Sequence, residues 1–260
     1  MEDLGRFLFD QPVIKVEQID RTPKKIFILG VYASAVHTKW ISPKGKTLIK
    51  AVAVASEPYI FWKGEGADQI INKIKLPESA GSLIPADESF NGPSGRALDK
   101  DYLHPLDVKR DQCWLCDLVP YSMMNHSQLK AIMRNSDILN TLNIPFPSLK
   151  EASSENRNIS DQRKREILAE IELSKAEYLI TLGNEPITNF ISTFCPEIKE
   201  LDRGKTYGHP IEINLEGIKV KLIRLVHPRQ AARLGLHDNE WFETHQKWKV
   251  GAQSKIGLLP

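Results

Sequence analysis

Four short stretches are apolar at nearly every position and are bounded by polar or turn residues: KIFILGVY (25–32), CWLCDLVP (113–120), EYLITLGN (177–184) and VKLIRLVHP (220–228). Unbroken hydrophobicity over so few residues is the pattern of strands covered on both faces, as in a parallel sheet lined by helices. Helical patterns separate them. GPSGRALDKDYL starts after a Gly-Pro turn, EPITNFISTF follows the third run, and SDQRKREILAEIELSKA opens on a Ser-Asp cap and repeats apolar residues at Ile167, Leu168, Ile171 and Leu173. Strand and helix in alternation predict an α/β fold: a three-layer α/β/α sandwich around a central, mostly parallel four-stranded sheet. Ligands of such sheets bind outside the carboxyl ends of the strands.

Two segments interrupt this plan. KTLIKAVAVASEPYIFWKG (46–64) reads as an added hairpin turning near Ser56-Glu57-Pro58, and residues 140–160, rich in Ser, Asn and Pro, read as a surface loop. No repeat or linker divides the chain, so residues 1–260 are expected to form a single α/β domain. With 41% hydrophobic and 26% charged residues, the composition is that of an ordinary globular protein. No run approaches the roughly 18 apolar residues that cross a bilayer. The start, MEDLGRF, lacks the basic flank and apolar core of a signal peptide, so an intracellular, cytoplasmic location is expected, nucleoid-associated in a bacterium.

The net charge of +2 neither requires nor excludes nucleic acid, but Arg203, Lys205, Lys219, Lys221, Arg224, Arg229 and Arg233 cluster late in the chain and point to a locally basic face. The other reading of these charges is a solvated surface. Three cysteines, Cys113, Cys116 and Cys195, are too few for a disulfide framework. Cys113 and Cys116 have metal-site spacing, yet four ligands are needed and residues three apart on a strand face opposite ways, so core packing is the expectation and no cofactor is assigned.

The strand ends carry the candidate chemistry. If the four runs are parallel, their carboxyl ends gather Gly30, Val31 and Tyr32, Asp117, Gly183 and Asn184, and His227 at one edge. A glycine there admits a ligand close to the backbone, a carboxylate reads hydrogen-bond donors, and a histidine donates to a developing anion. Singly, each residue also has a structural explanation: a turn, a cap or a satisfied imidazole.

Taken together, LGVYASAVH, SFNGPSGRAL, CWLCDLVP, LITLGNEP and LVHPRQAA resemble, in order and placement, five motifs of the uracil-DNA glycosylase superfamily, over most of residues 25–235. The likeness is clearest to its iron-sulfur branch. The resemblance implies an enzyme that flips a damaged or mismatched base out of DNA and hydrolyses its bond to the sugar. It implies that Phe90 stacks on the flipped base, that Gly30, Val31, Tyr32 and Asp117 line the base pocket, and that His227 stabilises the leaving base. Arg229 and Arg233 would lie on the loop that meets DNA; a plain surface arginine is the alternative for Arg229.

The sequence departs from the family in three places. Its first loop, GVYASAVH, has no carboxylate to activate water, with Ser34 and His37 the nearest polar substitutes, and Tyr32 is equally readable as a packed aromatic. Asp117 stands where many relatives have asparagine; an ionised aspartate only accepts hydrogen bonds, which disfavours uracil unless burial keeps it protonated. The four cluster cysteines of the iron-sulfur branch are missing. Three functions therefore compete: a glycosylase whose preferred base is not uracil; a non-catalytic relative that binds DNA or a nucleobase in the same pocket; and an unrelated α/β hydrolase or nucleotide-binding protein, for which the sequence has no phosphate loop, nucleophile elbow or dinucleotide fingerprint.

Overall fold

The structure, a computed structural model, describes residues 3–153, 155–204, 206–233 and 239–252. Eight strands are formed among the described residues: β1 (Ile26–Tyr32), β2 (Ala35–Ile41), β3 (Thr47–Ser56), β4 (Ser82–Pro85), β5 (Cys113–Val119), β6 (Tyr178–Leu182), β7 (Ile211–Leu215) and β8 (Ile218–Leu225). They make a five-stranded sheet in the order β5-β1-β6-β8-β7 and a three-stranded sheet in the order β3-β2-β4. No helix among the described residues is long and apolar enough to cross a membrane.

The chain divides into two compact units, each built from three stretches of sequence. One comprises residues up to Val16, Tyr32–Pro93 and Pro120–Asn156; the other comprises Glu17–Val31, Ser94–Val119 and the chain from Arg157 onward.

The second unit holds the larger sheet. All four apolar runs are strands of it, and β1, β6 and β8 are parallel, with Ile28 opposite Ile180 and Ile180 opposite Ile223. The sheet has a fifth strand that the sequence reading did not include. β7 alternates Ile211, Ile213 and Leu215 with polar residues and pairs antiparallel with β8. An edge strand with one solvated face has no continuous apolar run. All seven residues of β5 and all five of β6 are buried, and Phe27 stacks on Trp114 with ring centroids 6.4 Å apart.

The helix Asp161–Ser174 packs on β5. Ser160 caps it, its Oγ accepting from the Arg163 N–H at 3.2 Å. Arg163 reaches back to β5, donating to the Asp117 carbonyl at 2.7 Å and the Leu118 carbonyl at 3.1 Å, while Glu166 and Glu170 pair with its guanidinium. Glu170 also accepts from the Trp114 indole at 2.9 Å.

The first unit holds the smaller, antiparallel sheet. The segment 46–64 is not a hairpin turning at Ser56. Only residues 47–56 are a strand, and its partner is β2, joined through a tight turn in which Ser42 N–H donates to the Lys46 carbonyl and Gly45 N–H to the Ser42 carbonyl. Ser56-Glu57-Pro58 ends the strand because the Glu57 carboxylate turns inward to the backbone N–H groups of Ser34, at 2.9 Å, and Trp62, at 3.2 Å. The core of this unit includes Trp40, Trp62, Val36, Val54 and Leu8. Residues 142–150 have neither helix nor strand, but Ile144 and Leu149 are buried in that core, so this part of the 140–160 segment is anchored rather than wholly superficial.

Candidate functional site

In the larger sheet β1 has β5 on one side and β6 on the other, so the chain after β1 adds a strand first on one side and then on the other. The gap at the carboxyl ends of β1 and β6 is the switch point at which open α/β sheets bind ligands. Gly183 and Asn184 follow β6 directly, and His227 follows β8 by two residues. Gly183 donates from its N–H to the Leu225 carbonyl at 2.8 Å, which ties the end of β6 to the end of β8. Its φ of +99° is a left-handed conformation, and a Cβ there would lie 3.2 Å from the His227 Cβ. Glycine therefore lets the β6 turn pass against the histidine.

His227 caps the short helix Pro228–Ala231. Its Nδ1 accepts from the Arg229 backbone N–H at 3.2 Å. A backbone N–H only donates, so Nδ1 is unprotonated and the proton of the neutral ring sits on Nε2. Burial of the ring pushes its pKa down to about 4, a shift that Glu185 opposes and Arg229 assists. Glu185 is itself within 3.8 Å of Arg157. At neutral pH His227 is thus an uncharged donor with a fixed tautomer.

Asp117 is buried within β5, two residues before its end rather than at it. Burial raises its pKa to about 7, against the opposing pull of Arg163, and no hydrogen bond engages its carboxyl oxygens among the described residues. The protonated form, which both donates and accepts, is well populated at neutral pH. Gly30 and Val31 are buried inside β1, since that strand continues past the glycine to Tyr32. Arg229 is exposed, whereas the Arg233 guanidinium lies over the Phe242 ring at 3.9 Å.

Several other basic residues of this unit are engaged. Arg203 pairs with Glu240 and lies over Trp241, Lys221 bonds Glu177 at 2.9 Å, and Arg224 donates to the Glu200 carbonyl. Lys205 lies outside the described residues. A cavity of about 360 Å³ opens between Glu177, Glu212, Asn214, Lys219 and Lys221. It is at the amino ends of β6 and β8, away from His227. Cys113 and Cys116 are buried thiols on β5; burial pushes Cys113 up to about 12 and raises Cys116 further from ionisation, and Arg163 donates to the Cys116 sulfur at 3.3 Å.

Tyr32 and Phe90 belong to the other unit. Tyr32 is half-buried at the end of β1. Phe90 is 43% exposed, unusual for a large aromatic, and its ring stands 6.4 Å from that of His37. The next residue, Asn91, holds β2 like a strand partner: Oδ1 accepts from the His37 N–H at 2.8 Å and Nδ2 donates to the His37 carbonyl at 2.9 Å. The His37 ring is buried, its pKa pushed down to about 4, with Nε2 2.8 Å from Gln128 Nε2 and Nδ1 without a hydrogen bond.

Sequence reasoning missed Glu57, a buried carboxylate beside the first loop. No local pattern marks it, because its partners Ser34 and Trp62 are its recognisable feature and both are set by the fold.

Compared with known protein families and with curated proteins, the chain matches none.

Proposed function

We propose that this protein is a DNA glycosylase-like member of the uracil-DNA glycosylase superfamily, an intracellular α/β/α protein that flips a damaged or mismatched base from DNA and hydrolyses its N-glycosidic bond. The observation that carries the reading is His227: a neutral imidazole beyond the carboxyl end of a buried parallel strand, with Nδ1 locked by the Arg229 N–H and the Nε2 proton available. As the glycosidic bond breaks, electron density collects on the carbonyl oxygen of the departing base. A preorganised donor aimed at that oxygen is worth about 3 to 4 kcal/mol in such reactions. Because the neutral ring holds its Nε2 proton tightly, His227 works by hydrogen bonding rather than by proton transfer.

In this reading Phe90 stacks on the flipped base, contributing about 1 to 3 kcal/mol against the cost of unstacking. Gly30, Val31 and Tyr32 line the pocket, Arg229 meets a phosphate, and Arg233 shapes the same loop through Phe242. Asp117 selects the base. Protonated, it offers a donor and an acceptor to an imide edge such as that of uracil; ionised, it favours a base bearing an amino group. The pKa near 7 places the change within the working range.

One observation favours a non-catalytic binder. Val31, Tyr32 and Ala33 supply no carboxylate, and both oxygens of Glu57 are held by backbone N–H groups. Loss of a general base costs about 10² to 10⁴ in rate.

A single-turnover assay on duplexes carrying one uracil, hypoxanthine, xanthine or thymine mismatch decides between the two. We expect excision of at least one base, without the strong uracil preference of the standard enzymes, and a loss of about 10² to 10³ in rate for His227→Ala with DNA affinity retained. Salt-sensitive DNA binding without excision of any base supports the binder instead.

A further inference from the structure

The two backbone polar groups of Val226, the residue before His227, lie beyond the last ladder position of β8 and are completed by two tyrosines. Tyr102 donates its hydroxyl to the Val226 carbonyl at 2.6 Å, and the Val226 N–H donates to the Tyr207 hydroxyl oxygen at 3.2 Å. Tyr207 is in turn 2.7 Å from His245 Nδ1, and His245 Nε2 is 2.9 Å from the Asp101 carbonyl. All five residues are buried.

The ends of this chain fix the direction of every bond in it. A backbone N–H only donates and a carbonyl only accepts. His245 must therefore carry its proton on Nε2 to serve Asp101, which leaves Nδ1 as the acceptor for the Tyr207 proton. Tyr207 then donates to the histidine and accepts from Val226, using both halves of its hydroxyl. The polarity runs one way, from Val226 through Tyr207 and His245 to Asp101, an arrangement in which each bond strengthens the next.

The surroundings hold both links in place. The His245 ring packs against both Tyr102, at 4.5 Å between centroids, and Trp248, at 5.0 Å, and those two rings also meet each other at 6.4 Å. Lys249 pairs with the Asp101 carboxylate at 2.6 Å. Tyr207 sits on a turn whose next residue, Gly208, has φ +67° and meets Trp248 so closely that a Cβ would lie 2.2 Å from the indole. The Trp248 Nε1 donates to the Gly208 carbonyl at 3.3 Å. The helix Asn239–Lys249 thus presses this turn, and with it the phenol, beneath the strand end that delivers the histidine.

We propose that Tyr207 is a positioning residue for His227, held in its donor direction by His245 from the helix Asn239–Lys249. The proposal rests on the role given to His227 above. Tyr207 touches no reacting atom in this scheme; it fixes the backbone from which the imidazole and its Arg229 anchor project. A displacement of about 1 Å at such a donor costs on the order of 10²-fold in rate.

The test compares Tyr207→Phe, His245→Leu and His245→Gln in the full chain. Glutamine can accept from Tyr207 and donate to Asp101, whereas leucine does neither. Tyr207→Phe and His245→Leu are expected to lower kcat by about 10- to 100-fold with KM for DNA unchanged, and to shift the Arg229 amide and His227 ring nitrogen signals in NMR spectra. His245→Gln is expected to stay within a few-fold of the parent. Unmoved Arg229 and His227 signals in folded Tyr207→Phe or His245→Leu would overturn the proposal. The unsubstituted protein supplies a check that needs no variant: the Nε2–H tautomer of His245 supports it, and the Nδ1–H tautomer overturns it. Since the spectra are independent of cleavage, a parent protein that excises nothing defeats the glycosylase reading while leaving the positioning claim separately decided.

Discussion

A single atom distinguishes His227 from an ordinary histidine: its Nδ1 is engaged by the backbone N–H two residues ahead, so the side of the ring that donates is decided by the fold. The motif His227-Pro228 was legible in the sequence because it closes an apolar run and stands last among the five ordered motifs. The tautomer was not, since it depends on where the Arg229 N–H points. Gly183 bears on the same atom. Gly183→Ala adds a methyl at a left-handed backbone position, 3.2 Å from the His227 side chain, and is expected to destabilise the protein by about 1 to 2 kcal/mol. It should also slow excision, as measured by denaturant unfolding and single-turnover rates on one preparation. Glu57, Tyr207 and His245 escaped the sequence reading for a common reason. Each has a partner far along the chain, Ser34 23 residues from Glu57, His245 38 from Tyr207 and Asp101 144 from His245, where spacing carries no information.

At the scale of elements, hydrophobic periodicity found the strands that are covered on both faces and missed those that are not. β1, β5 and β6 are buried at nearly every position and β8 at its apolar ones from Val220 on, with Lys219, Lys221 and Arg224 interrupting its run, while β7 and β4 are short edge strands with exposed positions. β2, AVHTKWI, carries a buried histidine and threonine among its apolar residues and resembles no simple pattern. The misplaced hairpin has a physical origin as well. Ser56-Glu57-Pro58 has the composition of a turn, yet its glutamate serves backbone donors across the unit, and the chain reverses instead at Ser42–Lys46. Arg163 shows how an element is registered on the sheet. One half-buried guanidinium spans two carbonyls of β5 and two glutamates of its own helix, which fixes the strand that bears Asp117.

For the whole molecule, the sequence offered one domain and the structure has two compact units woven from alternating stretches, a division that no linker composition announces. Titration is where the molecule responds as one. His37, His227 and His245 all have pKa values pushed from 6.5 to about 4, so the unfolded chain binds their protons more readily, and stability is lost as pH falls from about 6.5 towards 4. Asp117, raised to about 7, opposes them over much of that range. The net of about two protons predicts a fall in unfolding free energy of roughly 2 to 3 kcal/mol per pH unit near pH 5. Urea denaturation between pH 4.5 and 7 measures it, and a flat profile contradicts it. The His227 ring must be neutral and protonated on Nε2 to donate to a departing base. Long-range ¹H–¹⁵N NMR of His227 reports its protonation directly: we predict the Nε2–H tautomer at pH 7, with no titration until the pH approaches 4. An Nδ1–H tautomer, or an ordinary titration near pH 6.5, would contradict the assignment of His227 as the neutral donor to the departing base.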